Sequence, residues 1–400
     1  MLSFAASNEI SSAMTVLIFI AVLAVLVLSH EFGHFIFAKK AGLRVEEFGF
    51  GFPPRLLGVQ RINKEKRWRF IWGPRQEKES EKESEEGDTV YSVNMIPLGG
   101  FVRIHGENGG EVEDKKSFGS QPLYIRALIL VAGVFFNLLL AWPVLTAGFL
   151  IGTPASVNGG NISGGTLTEK GVMILEVQKG TSAEAAGLKE GDYLLRFISK
   201  DNDILQVSDE KSVQDFIAKY AGAEITIDYL RGKKEFSAKA IPSVKPEAGK
   251  GSLGIAMERV GIMKLPFHLA VWEGLKSTIR LTVMISKALF AFFGDLFTER
   301  KMIVQLSGPV GIAGMLGSAA QTGFVFFLQL VAVLSIHLAL INIIPFPALD
   351  GGRLLFLAIE FVKGKPISQK VSNIAHNIGF AMLILLMLII TYRDILKLVK

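Results

Sequence analysis

Long apolar runs alternate along the chain with stretches rich in charge, glycine and two-residue periodicity. Four runs, nearly free of charge, reach the ~20 residues a helix needs to cross a bilayer. They cover about Ser12–Ala38, Tyr124–Ile151, Gly323–Ile344 and Asn373–Tyr392. A fifth apolar stretch, 264–300, is interrupted by Glu273, Lys276, Arg280, Lys287 and Asp295. That spacing predicts an amphipathic helix on the membrane surface. Segment 43–105 is rich in Gly, Phe, Val and Pro and alternates in places, as in Val90-Tyr91-Ser92-Val93, so it predicts β-hairpins close to the membrane. Inside it, Glu77–Asp88 is a run of Glu, Lys and Ser that predicts a solvated loop. Segment 170–245 predicts a small α/β domain, with a helix over Ser212–Tyr220 and a hairpin around Arg231-Gly232-Lys233.

The fold expected from this pattern is a polytopic α-helical membrane protein with four transmembrane helices, a membrane-associated β-region and one extracytoplasmic α/β domain. The expected organisation is a first span in 1–42, the β-region and loop in 43–123 and a second span in 124–151. A linker follows in 152–169, the α/β domain in 170–245 and a membrane-surface segment in 246–322. The third span falls in 323–352, and a loop with the fourth span fills 353–400.

Charge sets the orientation. Only Glu9 is charged before the first span, whereas Lys39, Lys40, Arg44, Arg55 and Arg61 follow it. By the positive-inside rule the N-terminus lies outside and 39–123 in the cytoplasm, in a cytoplasmic (inner) membrane. Arg393, Lys397 and Lys400 fall on the nominal outside, against the rule, but the contrast at the first span is larger. The net charge of +6 sits beside the apolar runs, where it faces lipid headgroups, and no nucleic-acid motif accompanies it. The first run does not suit a cleavable leader, because no basic segment precedes it and it continues into His30, Glu31 and His34. The chain has no cysteine, which excludes disulfides and thiolate chemistry. A metal would be held by nitrogen and oxygen.

His30-Glu31-Phe32-Gly33-His34 is an H-E-x-x-H motif. On a helix its two imidazoles share a face and can reach one ion, while Glu31 stands beside the ion's water as general base. Charged side chains in an apolar span cost ~2.5–3.5 kcal/mol each, so their presence marks function. Lys39 follows His30 by ~13 Å of helix, which puts the metal below the cytoplasmic surface. A third ligand is needed, and Asp350 in Asn342-Ile-Ile-Pro345-Phe-Pro347-Ala-Leu-Asp350-Gly-Gly lies at a similar depth by the topology above. Pro345 and Pro347 interrupt the third span, as is tolerated where a helix lines a cavity. His337, about four helical turns from Asp350, reads as a helix-packing contact, and His105, His268 and His376 lack a metal-ligand spacing.

These motifs resemble those of the site-2 protease family of intramembrane metalloproteases, of the bacterial RseP type. HExxH in the first span and the Asn342–Gly351 stretch match the family's paired motifs. Gly133-Val-Phe-Phe-Asn137 resembles its GxxxN element, and Phe48–Gly51 with Tyr91–Phe101 resembles its β-region. Ser307-Gly308-Pro309-Val310-Gly311-Ile312 resembles a segment before its third span, and 170–245 is similar to a PDZ domain. The resemblance implies one catalytic Zn2+ on His30, His34 and Asp350, with Glu31 catalytic. It implies that Asn137 and Asn342 hold the substrate backbone, with Pro345 and Pro347 as further substrate-binding candidates. The implied substrates are transmembrane segments of single-pass proteins, such as shortened anti-sigma factors or remnant signal peptides. A peptide or C-terminus would suit the PDZ-like domain. Relatives often carry two PDZ domains, whereas the space here fits one.

A non-catalytic PDZ-bearing membrane scaffold or chaperone is the competing expectation. It leaves HExxH paired with Asp350 unexplained and predicts no stoichiometric zinc. A zinc transporter would spread polar ligands along several spans, whereas here they gather at one depth.

Overall fold

The computed structural model describes residues 11–62, 67–74, 88–107, 114–157, 164–232, 234–245, 251–297 and 307–399. The chain divides into two compact units. Among the described residues, one lies within 11–144, 276–317 and 330–399, and the other within 145–275 and 318–329.

The first unit opens with helix α1 (Ser12–Lys40), whose Ser11 hydroxyl accepts from the Met14 amide at 3.2 Å. The helix is apolar on all sides until His30 and closes on Lys39 and Lys40, cations that suit a helix C-terminus. Strands β1 (Val45–Ile62), β2 (Arg67–Trp72) and β3 (Val90–Ile104) follow in the order β2-β1-β3. β3 folds around β1, so that Phe48 pairs with Tyr91 on one side and with Val102 on the other. The 100–104 stretch thereby becomes an outer strand beside α1. The expected hairpins are present. The Glu77–Asp88 run lies outside the described residues except for Asp88, which pairs with Lys39.

Helix α2 (Leu123–Ile151) antiparallels α1. Ala38, Leu43, Val45, Ile104, Phe118, Ile129 and Leu130 form a buried cluster that joins the end of α1, the β-region and α2. Each large aliphatic side chain so buried stabilises the arrangement by ~1.5–3 kcal/mol. Helices α7 (Phe324–Asn342), α8 (Asp350–Lys363) and α9 (Gln369–Val399) complete this end of the unit. A half-buried bidentate pair, Arg126 with Glu360, ties α2 to α8.

In the second unit β4 (Thr153–Ser156), β5 (Thr166–Val177), β6 (Tyr193–Ser199), β8 (Ile225–Arg231), β9 (Lys234–Ala240) and β10 (Ile255–Lys264) form a sheet of order β4-β10-β5-β6-β8-β9, with β7 (Ile204–Gln206) on β6. Helices α3 (Ser182–Ala185) and α4 (Glu210–Lys219) pack with it. Asp209 caps α4, and Val213, Phe216 and Ile217 enter a core with Val172, Ile174, Phe197, Ile225 and Ile227. The expected boundaries are too narrow. β4 and the start of β5 come from the expected linker 152–169, and β10 comes from the expected surface segment 246–322. Gly, Ser and Thr conceal β4, whose four residues gain order only by pairing with β10.

Helices α5 (Phe267–Phe297) and α6 (Pro309–Thr322) lead into α7. Among the described residues five helices, α1, α2, α5, α7 and α9, are long and apolar enough to cross a membrane, one more than expected. The fifth is the 264–300 stretch, which is the least apolar of the five, with a mean hydropathy of 1.3 against 2.2 or more.

Candidate active site

One turn of α1 separates His30 from His34, and their rings meet edge to face at 4.7 Å. Two glycines allow α2 to approach closely enough to back them. A Cβ on Gly33 would lie 2.4 Å from the Ala132 carbonyl oxygen, and one on Gly133 would lie 2.5 Å from His34 Nε2. The glycines inside HExxH and GxxxN are therefore the crossing point of the two helices.

Asp350 arrives from the end of α7. Pro345 and Pro347 remove amide donors and stop the helix, and the chain turns through Ala348, at φ +79°, before α8 begins at Asp350. Gly351 and Gly352 lie under this turn, where a Cβ would meet the Ile344 and Phe346 carbonyls at 2.1 and 2.3 Å.

The three side chains converge. Asp350 Oδ2 lies 2.8 Å from His30 Nε2 and 3.3 Å from His34 Nε2, and the two Nε2 atoms are 3.1 Å apart. Ligands placed tetrahedrally at ~2.0–2.1 Å from a zinc ion stand roughly 3.3 Å from one another, so the triangle has the dimensions of such a site. Among the described residues this is the one His/Asp/Glu group with metal-site spacing.

The ring nitrogens facing away support the same reading. His34 Nδ1 lies 2.8 Å from the Ile129 carbonyl, to which it donates, leaving Nε2 as a bare lone pair. His30 Nδ1 is 3.4 Å from the Asn137 amide nitrogen, while the buried Asn137 Oδ1 has no hydrogen-bond partner. Turning the amide lets Oδ1 accept from Nδ1–H, which satisfies the orphan and frees His30 Nε2 for a metal. Asn137 is fully buried, and its carbonyl accepts from the Ser335 hydroxyl of α7 at 2.7 Å. Sequence reasoning gave Ser335 and the two glycines no part in the site.

Glu31 lies beside the two histidines, on the flank of α1 that meets the outer strand. Its Oε2 accepts from the Val102 amide of the outer strand at 3.1 Å. Glu31, His34 and Asp350 line a cavity of about 350 Å³ with Phe101, Arg353 and His376. Asn342 ends α7 half-buried, Pro345 is exposed, and Pro347 is half-buried. His337 bonds within its own helix, to the Val333 carbonyl at 2.9 Å, as its position suggests. His268 is exposed, and His105 pairs with Glu46 and Asp114.

Against this geometry, the model of peptidase family M50 matches residues 18–75 and 80–386. The chain belongs to peptidase family M50. Family M50 members named zinc metalloprotease RasP resemble it over nearly their whole length. That of Shouchella clausii is 28% identical, with 96% of this chain and 99% of the relative covered. That of Geobacillus kaustophilus is 28% identical, with 96% and 98% covered. The regulator of sigma-W protease RasP of Bacillus subtilis is 27% identical, with 96% and 99% covered. The M50 chain described here is thus a membrane zinc metalloprotease of the site-2 class, and its His-His-Asp group fits the ion.

Proposed function

We propose that His30, His34 and Asp350 hold one zinc ion inside the membrane, with Glu31 as general base, and that the enzyme cuts transmembrane segments of single-pass proteins. The observation that carries this is the convergence of three ligand atoms, from stretches some 320 positions apart, within 3.3 Å. When bound, the ion polarises the scissile carbonyl and lowers the pKa of its water.

Glu31 performs the proton transfers. The Val102 amide holds Oε2 and so orients the carboxylate, while Oε1 has no partner among the described residues. Oε1 takes the proton of the attacking water and returns it to the leaving amine. A helical substrate must first unwind, because its peptide groups are engaged in their own hydrogen bonds. The outer strand 100–104, which lines the cavity, suits an unwound segment added as a further strand. Asn342, Pro345 and Pro347 border the same turn as Asp350 and serve that segment. Asn137 acts through His30, whose ring it orients.

The membrane orientation in this proposal has the N-terminus and the α/β unit outside and the 43–123 region in the cytoplasm. It has four net crossings, α1, α2, α7 and α9, with α5 on the outer surface. The α/β unit serves as a PDZ-like module for a peptide or C-terminus. The B. subtilis relative's name makes it a regulator of a sigma factor, which favours shortened anti-sigma factors as substrates, with remnant signal peptides a second class. The test is cleavage of a single-pass substrate in proteoliposomes by the intact protein and by Glu31→Gln. The proposal expects cleavage at a bond within the apolar segment and at least ~100-fold less in the variant. Undiminished cleavage by Glu31→Gln would remove Glu31 from the chemistry.

A further inference from the structure

The turn that delivers Asp350 is strained, and a side chain from the last helix supports it. Ala348 sits at φ +79°, a conformation that is unfavourable for a residue with a Cβ and that glycine adopts freely. Its amide donates to Nδ1 of His376, on α9, at 2.9 Å. In the neutral ring the proton is then on Nε2, which is buried and has no hydrogen-bond partner among the described residues. The bond to Ala348 is therefore the ring's one intramolecular hydrogen bond.

Two contacts bring α9 to this point. Gly379, nearly one turn beyond His376, lies against the Pro347 carbonyl, where a Cβ would be 2.3 Å from the oxygen. The His376 ring packs edge-on against Phe356 of α8, centroids 6.1 Å apart. Much of the rest of α9 is uncovered, apart from Asp394 near its end.

We infer that His376 is a positioning residue: by accepting the Ala348 amide it holds the left-handed turn that sets Asp350 against His30 and His34. The inference rests on the zinc reading above. Removing the acceptor frees the turn to relax toward an ordinary φ, which swings Asp350 away from the imidazoles.

Three variants of the full-length protein separate this from simple packing. His376→Phe keeps a ring against Phe356 but has no acceptor. His376→Asn keeps an acceptor, Oδ1, in the place of Nδ1 but loses the ring. His376→Phe combined with Ala348→Gly removes the acceptor but lets glycine hold the positive φ unaided. Zinc affinity is measured on detergent-purified protein by competition with a chromophoric chelator, and kcat and KM are measured alongside. Zinc affinity should fall on the order of ten-fold in His376→Phe, stay within about three-fold of the parent in His376→Asn, and recover at least half of the logarithmic loss in the double variant. The kcat should follow, with KM little changed. A His376→Phe protein with parental zinc affinity, or a double variant no better than the single one, would overturn the inference while leaving the zinc site intact. A parent that bound no zinc would instead overturn the reading beneath it.

Discussion

At the scale of the residue, the site depends on what is missing as much as on what is present. Gly133 leaves room for the His34 ring, since a methyl there would stand 2.5 Å from Nε2 and 2.7 Å from His30 Cε1. Alanine is the better helix former by about 1 kcal/mol, so Gly133→Ala should not weaken α2 through propensity. It should displace the imidazoles. We expect zinc affinity to drop and kcat/KM to fall at least ~100-fold, with thermal stability of the metal-free protein nearly unchanged. Titrating zinc into purified Gly133→Ala and following peptide cleavage checks both. The group His30, His34 and Asp350 was legible as a candidate metal site because each member lies in a short motif of its own, although the motifs are some 320 positions apart. His376 was not, because its partner is a backbone amide 28 positions away, and no ligand spacing marks a residue that acts through an amide. Asn137 was legible as important, but its burial against His30 depends on how closely α2 approaches α1.

At the scale of the element, α5 is the helix expected over 264–300. It is a single 31-residue helix, long enough to cross a bilayer, yet its surroundings argue against a net crossing. α6, which follows it, is capped by Asp394 of α9, whose Oδ2 accepts from the Gly308 and Gly311 amides at 2.8 Å each. Gly317 of α6 packs on Thr15. Thr15 lies ~22 Å of helix before His30, and Asp394 lies ~22 Å beyond Gly379, so α6 belongs to the end of its unit remote from the metal group. The glycines of the Ser307–Ile312 stretch acquire a reason here, since a Cβ at Gly308 or Gly311 would come within 2.9–3.0 Å of Asp394 Oδ2. The chain has no cysteine, so single cysteines report location without background. Introduced at Ser237 and at Gln321, they should react with a membrane-impermeant maleimide in intact cells, whereas one at Gly364 should react only after lysis. Protection of Gln321→Cys in intact cells would require α5 to cross. The long apolar helices followed from hydrophobic pattern alone, whereas α6 was not anticipated, most of α8 fell in an expected loop, and β4 and β10 were missed because each is ordered by the other and by β5.

At the scale of the whole molecule, the apolar helices bring together a site from two distant pieces of sequence. α1 supplies two imidazoles and a base, and the broken end of α7 supplies a carboxylate. α2 lies behind the imidazoles, and α9 supports the turn that carries Asp350. Membership of family M50 accounts for the chemistry, and the proposal above gives it to His30, Glu31, His34 and Asp350. The most direct test is zinc content and zinc-edge X-ray absorption of the purified parent, Glu31→Gln and Asp350→Ala. We predict one zinc per chain in the parent and in Glu31→Gln, with two imidazole nitrogens and oxygen ligands at ~2.0–2.2 Å, and loss of most of the metal in Asp350→Ala. One zinc per chain in Asp350→Ala with an unaltered absorption spectrum would contradict the account, because the third ligand would then lie elsewhere.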